Sequence, residues 1–419
     1  MFKNALSALA VMTIAALPAT LAAQPAFQVA RGINMDQWVT WPSPDRWTED
    51  DALFPFPEWR RSVGRDELAE LRAAGLDFIR VPVDPVPFMA DHAAGQRDRL
   101  MREVGEAVDL ALEAGLKAIV DLHLIPGGTE LPYMSRVLTE AEDFAAYRQL
   151  VADMAARLSQ RDPTRVALEL MNEPGTSCDA AGNAEWSELQ RQLHGAARAA
   201  APDITLVLTG GCDGNAEGLV ALDPGVIGDD NVIWTFHSYR PFILTHQGAL
   251  WAGDLIRYVT GLPYPPHLAD PVDLDARLAI VRARIRTQAP LLRRAGMISW
   301  VEEQVEAIRS EEALHAMLRE PFEMVAAWAA THDIPPNAIL LGEFGMIRQE
   351  YGNAFAVRPA QRAAYYRDVI AIAEEFGFPW AMWSHGGAFG IVQEFDHRPA
   401  EADVLDMVRG LGPSTMRPD

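Results

Sequence analysis

The sequence predicts a (β/α)8 barrel, and three observations carry that reading. Eight short apolar segments have strand character; a helix–glycine–strand unit recurs between them; and no early strand is followed by a Gly-rich phosphate loop, which an open doubly wound sheet would usually show. The eight segments begin near Gly32, Phe78, Ala118, Val166, Ile204, Val232, Ile339 and Trp380. The recurring unit is plain at 66–83, where an amphipathic stretch at 66–74 meets Gly75 and then the strand at 78–83. It returns where 112–116 leads into 118–123, and where 375–378 leads into 380–383. Glycine ends a helix without steric cost, and continuously apolar strands belong to parallel sheets covered on both faces. The run Gly210-Gly211-Cys212-Asp213-Gly214 is glycine-rich but lacks the spacing and helix start of a nucleotide loop.

One connection is oversized. About a hundred residues separate the sixth strand, ending at His237, from the seventh near Ile339, far more than a βα connection needs. Leu274, Leu278, Val281 and Ile285 share one helical phase, as do Val301, Val305 and Ile308. A largely helical insertion over about 240–335 is expected at the barrel's top face, its Pro- and aromatic-rich start walling the cleft. With 49% hydrophobic and 22% charged residues, the chain can bury one large core. A single catalytic domain is expected over 24–419.

Residues 1–23 have the pattern of a secretory signal peptide: Lys3, an apolar run over 5–17, and small residues around Ala22 for cleavage. The competing reading, a membrane anchor, suffers from a short, alanine-rich core. A secreted or periplasmic protein is therefore expected, with no stable membrane association after cleavage. The net charge of −22 makes nucleic acid and anionic membranes poor partners and suits a neutral polymer. Export permits a disulfide between the two cysteines, Cys178 and Cys212, which follow neighbouring strands on one rim. Two free buried thiols are the alternative.

The chemistry gathers at the strand ends. The fourth strand runs into Asn172-Glu173-Pro174, and the seventh ends in Gly342-Glu343-Phe344-Gly345. Such ends converge at the top of a barrel, and two glutamates there suit glycoside hydrolysis. Glu173 is the candidate acid/base; a neighbouring carboxylate is expected to raise its pKa. Glu343 is the candidate nucleophile, kept ionised by Arg80 with help from the Tyr239 hydroxyl. Asn172 suits a sugar 2-hydroxyl, His123 and His237 suit sugar hydroxyls or the glutamates, and Trp383 offers a flat apolar face. Glu169 reads as a structural carboxylate inside the barrel. Candidate subsite residues are Trp38, Trp41 and Trp251, with Trp47 and the aspartates Asp36, Asp84 and Asp213.

In this order the set resembles glycoside hydrolase family 5, the cellulase family of the retaining (β/α)8 clan. The pattern is Arg80 on strand two, His123 on three, Asn172-Glu173-Pro174 on four, His237 and Tyr239 on six, Glu343 on seven and Trp383 on eight. The resemblance covers about 31–390. It implies a retaining double displacement with Glu173 as acid/base and Glu343 as nucleophile, with no metal and no organic cofactor. The substrate expected is a β-linked glucan, polymer or oligosaccharide, cut by a cellulase-like endoglucanase. A β-mannanase or β-1,3-glucanase on the same site is the runner-up, and a glycan-binding barrel without catalysis is the alternative from another class. The two carboxyls are expected about 5–5.5 Å apart.

Overall fold

The computed structural model describes residues 25–36, 38–40, 63–124, 133–350, 355–392 and 401–413. The expected leader and Trp41 and Trp47 lie outside the described residues. Eight parallel strands close into a barrel in sequence order. They are β1 Arg31–Asn34, β2 Phe78–Val83, β3 Lys117–Leu122, β4 Val166–Glu169, β5 Thr205–Thr209, β6 Val232–His237, β7 Ile339–Phe344 and β8 Trp380–Met382. Helices that frame the barrel or the connection after β6 include α1 Arg65–Ala73, α2 Arg97–Glu113, α3 Ala141–Leu158, α4 Ala180–Ala200, α5 Ala216–Val220, α6 Pro271–Gln288, α7 Arg294–Glu306, α8 Glu311–Thr331, α9 Pro359–Phe376 and α10 Ala402–Arg409. This is the (β/α)8 architecture expected. Gly75 and Gly377 leave α1 and α9 at φ of 103° and 72°, a region open to glycine, and so turn each chain back toward the next strand.

The barrel interior begins with an apolar layer. Phe78, Ile119, Ala167, Val207, Ile233, Leu340 and Ala381 point inward, joined by Phe27 and Val29 from the segment before β1. The Phe27 amide donates to Thr205 Oγ1 at 3.1 Å, tying that segment across the bottom. Room for the Phe78 ring comes from Gly32, where a Cβ would lie 2.5 Å from it. A larger core lies between the outer strand faces and the helices.

Two expectations change. From the sequence the fourth strand runs into Asn172-Glu173-Pro174, but β4 ends at Glu169. The Leu170 amide still donates to Val207 O on β5 at 3.2 Å, and the Asn172 amide turns to Leu122 O on β3 at 3.2 Å. The segment has therefore left regular pairing before the proline is reached. The expected insertion also divides. Helix α8 packs against α5 and α9, and its Phe322 meets Phe236 of β6 at 5.5 Å between ring centroids. Trp328 of α8 donates to Leu222 O at 3.0 Å. Helix α8 is thus the ring helix that follows β6, and the added segment is the stretch before it, including α6 and α7. Leu274, Leu278, Val281 and Ile285 form the buried face of α6, as their spacing predicts.

Gly32→Ala should destabilise the protein by about 1–3 kcal/mol, because the new methyl must displace a packed ring. Denaturant unfolding reads this as a lower midpoint at unchanged slope; an unchanged midpoint would mean that the layer can give way.

Candidate active site

One pleat above the apolar layer the barrel interior turns polar. Arg80, Asp121, Glu169, Thr209 and Thr235 each follow an inward apolar residue by two positions, so they too point inward. Arg80 is fully buried and is the hub. Its Nε and Nη2 grip Glu169 at 2.7 and 2.8 Å, Nη1 donates to Glu343 Oε1 at 2.7 Å and Asn34 Oδ1 at 2.8 Å, and Nη2 donates to Asn172 Oδ1 at 2.7 Å. Asp121 Oδ2 lies 3.0 Å from Nη2. Burial opposes the Arg80 charge, but Asp121, Glu169 and Glu343 overcome it and hold its pKa well above the ordinary value. Asp121 in turn is pushed up to about 7 by burial, against the pull of Arg80.

Glu343 reaches this hub through a break in β7. Leu340 points inward, so strict alternation would send Gly342 inward and Glu343 outward. The register with β6 slips at this point: Phe236 pairs with Leu341, and His237 pairs with Glu343. Gly342 is the extra residue, and the slip turns Glu343 into the barrel. A Cβ on Gly342 would sit 2.5 Å from Thr235 Oγ1 and 2.9 Å from His237 Nε2. Asn34 Nδ2 donates to Gly342 O at 3.0 Å and to Met382 O at 3.2 Å, fastening the bulge from β1. Tyr239 donates to Glu343 Oε2 at 2.8 Å, so both oxygens of Glu343 accept. Burial and the neighbouring Glu343 hold the Tyr239 hydroxyl well above its ordinary pKa, which keeps it a donor.

Glu173 stands opposite on the segment after β4, its side chain 21% exposed. His237 Nδ1 lies 2.7 Å from its Oε1. Burial is the main cause that pushes the Glu173 pKa up to about 7; His123 and Arg80 pull it down, and Asp213 and Asp121 push it further up. The expected cause, a carboxylate at Glu343, is thus corrected: desolvation leads, and the carboxylates that add to it are Asp213 and Asp121. Burial also holds His237 down at about 4, so it is neutral near pH 7. One donor atom each from Glu173, His237 and Glu343 lies within 4.8 Å of the others. By distance alone these three could also hold a metal ion, yet Glu343 is already engaged by Arg80 and Tyr239, and Glu173 by His237.

Around this pair the structure gathers most of the residues named from the sequence. His123 Nδ1 lies 2.6 Å from Asp121 Oδ2, and the His123 ring stacks on Trp383 at 5.4 Å. Asn172 gives its oxygen to Arg80, which leaves its amide group as a donor. Trp251 is 60% exposed, and its ring contacts run through His246 to Tyr239. Trp38 is instead buried in the core, so it offers no open face. Asp36 accepts from the Gly386 amide at 2.9 Å, and Asp84 from the Val86 amide at 3.0 Å; both hold loops. Asp213 is exposed at the mouth. Cys178 and Cys212 form a disulfide between the loops after β4 and β5. Sequence reasoning missed Asn34, whose only signal is a polar side chain ending an apolar strand.

The cellulase family model, glycosyl hydrolase family 5, matches residues 52–388. Cellodextrinase A of Ruminococcus flavefaciens is 25% identical over 229 residues, which cover 54% of this chain and 63% of that protein. Endoglucanase 3 of Fibrobacter succinogenes is 20% identical over 378 residues, 87% of this chain and 50% of that protein. The chain thus spans less than two thirds of the length of these curated relatives. Thermotoga maritima Cel5A, solved with cellobiose and with mannotriose, is 19% identical with a TM-score of 0.63, covering 91% of this chain and 97% of that one. That likeness is one of fold.

The Glu173 pKa carries a stability consequence. A carboxyl raised from 4.5 to about 7 keeps a proton that the unfolded chain would lose, so folding stability falls as pH rises through that window. Glu173→Gln lacks this loss and should be the more stable protein above pH 7 by roughly 1–3 kcal/mol. Unfolding at several pH values reads the gap, which should open between pH 4.5 and about 7; a gap independent of pH would sink the argument.

Proposed function

This chain belongs to the cellulase family, glycosyl hydrolase family 5, and on that premise we propose that it is a retaining hydrolase of β-linked glucan with Glu173 and Glu343 as its catalytic pair. The observation that carries the reading is the separation of at most 4.8 Å between an oxygen of each glutamate. Retaining enzymes bring the two carboxyls to about 5–5.5 Å, whereas inverting ones leave about 6.5–9.5 Å for a water.

In the first step Glu343 attacks the anomeric carbon while Glu173 gives its proton to the departing glycosidic oxygen. A glycosyl ester on Glu343 forms and the leaving chain departs as an alcohol. In the second step Glu173 takes a proton from water, which attacks the same carbon and frees Glu343. Arg80 and Tyr239 donate to the two Glu343 oxygens and hold that carboxylate as an acceptor on both sides. His237, kept neutral by burial, meets Glu173 in either protonation state by donating or accepting at Nδ1. Among the described residues the Asn172 side-chain amide has no acceptor, and it would donate to a sugar hydroxyl. Trp383 at the cleavage point and Trp251 on the inserted segment supply stacking faces.

The substrate class follows the printed names of the relatives, a cellodextrinase and endoglucanases, and is a β-1,4-glucan or its oligosaccharides. A β-mannan is the second reading, favoured by the mannotriose bound to the Thermotoga protein. Export is supported by the signal-like pattern at 1–23 and by the disulfide. Among the described residues no helix is long and apolar enough to cross a membrane.

Hydrolysis of barley glucan, carboxymethylcellulose, mannan and laminarin, with sizing of the products, tests the substrate; cleavage of none of them would overturn the reading. Glu343→Gln should lower hydrolysis by roughly 10⁴-fold or more while the protein still folds and binds glycan, and retained turnover would remove Glu343 from its role. Since Glu173 must begin protonated, kcat/KM should fall as pH rises through about 7. A flat profile from pH 6 to 9 would contradict the assignment of Glu173 as acid.

A further inference from the structure

We propose that Asp213 binds the sugar on the leaving-group side of the cleavage point, and that the Cys178–Cys212 disulfide holds it there. The inference deepens the proposed function and rests on it.

The loop after β5 is unusual backbone. Cys212, Asp213 and Gly214 follow one another at φ of 55°, 56° and 67°. Side chains rarely adopt this left-handed region, and two in succession persist only where the surroundings impose them. Four contacts impose them here. The Asp213 amide donates to Pro174 O at 3.0 Å, next to Glu173. The Cys212 amide donates to Thr176 Oγ1 at 3.3 Å. Asn215 bridges to His237 on β6. The disulfide joins Cys212 to Cys178, five residues past Glu173. The loop also packs on the acid/base itself, since a Cβ on Gly214 would meet Glu173 Cγ at 3.2 Å and Asn172 O at 3.4 Å.

What this scaffolding presents is a carboxylate. Asp213 is exposed at the mouth, and among the described residues no hydrogen bond reaches its side chain, whereas Asp36 and Asp84 are each spent on a loop. Its side of the mouth is set by barrel order. The nucleophile is on β7 and Trp383 follows β8, so the glycosyl unit lies over that half; Glu173 follows β4, so the departing sugar lies over β4 and β5. A fixed, unpartnered carboxylate there suits two vicinal hydroxyls of a pyranose. Its charge also supports the raised Glu173 pKa, second to burial and among the effects of His123, Arg80 and Asp121, with His237 in contact.

The test compares two substrates in the full-length protein. Cellotetraose places a sugar in the leaving position, while an aryl β-cellobioside places a nitrophenol there. Asp213→Gly removes the carboxylate at a φ that glycine tolerates, and Asp213→Asn keeps the shape and removes the charge. In Asp213→Gly the ratio of kcat/KM for cellotetraose to that for the aryl glycoside should fall about tenfold, the scale of one hydrogen bond to a charged group. Asp213→Asn should fall less. The Cys178→Ser/Cys212→Ser pair, checked for folding by circular dichroism, should reproduce the selective fall. Because a nitrophenol leaves with little acid assistance, a selective fall that appears only near the alkaline limb and is absent at about pH 5, where Glu173 keeps its proton in both proteins, would mean that Asp213 acts only through Glu173 and would overturn the proposal. So would an unchanged ratio. A cysteine pair that folds and keeps the wild-type ratio would remove the disulfide from it. Wild-type protein that cleaves neither substrate would instead overturn the proposed function.

Discussion

A single buried guanidinium, Arg80, faces Asp121, Glu169 and Glu343, and the geometry of the mouth depends on that contact. One cation against these carboxylates leaves excess negative charge in a low-dielectric interior. Burial raises the pKa of both Asp121 and Glu169 above the usual carboxylate range, against the pull of Arg80. Removing the cation would strand the carboxylates at a cost of about 3–5 kcal/mol, so the cluster ties stability to the site. The same guanidinium fixes Asn172 and Glu343, which face it from β4's end and from β7.

The second constraint is steric. A carboxylate on β7 reaches the hub only because the strand slips by one residue at Gly342, and the slip is tolerated only because nothing but hydrogen projects toward Thr235 and His237. Asn34 closes the arrangement by holding Arg80 with its oxygen and the Gly342 carbonyl with its nitrogen. Arg80 and Tyr239 thus hold the two oxygens of the Glu343 carboxylate, while the bulge and the Asn34 amide aim it. Glu173 is held more lightly, by His237 and by the packing of the β5 loop. That contrast fits a proton carrier that changes state twice per turnover facing a nucleophile whose carboxylate must be aimed.

Above this frame the loops differ in how they are secured. The β4 and β5 loops share a disulfide, whereas the inserted segment after β6 rests on aromatic contacts from Tyr239 through His246 to Trp251 and Phe389. A frame of buried charge with separately anchored loops lets the reaction stay constant while the sugar contacts vary.

Much of this was legible in the chain. Strand spacing, glycine stops and the ordered set from Arg80 to Trp383 determined the barrel and named the two glutamates, because hydrophobic periodicity and strand-end chemistry are local signals. The partnership of Arg80 and Tyr239 with Glu343 also followed, since strand-end side chains converge at the top of a barrel, where a carboxylate takes a cation and a hydroxyl as donors. Three matters were decided only in three dimensions. The β7 slip reverses a side-chain direction that alternation predicts wrongly, because register depends on the neighbouring strand and not on β7 itself. The raised Glu173 pKa comes first from burial, which no residue list contains. The fate of each tryptophan and aspartate also depends on packing: Trp38 is core, Trp251 is surface, Asp36 and Asp84 hold loops and Asp213 is left open. Residue type and position are the same kind of signal in all of these, and only the contacts made by distant segments separate them.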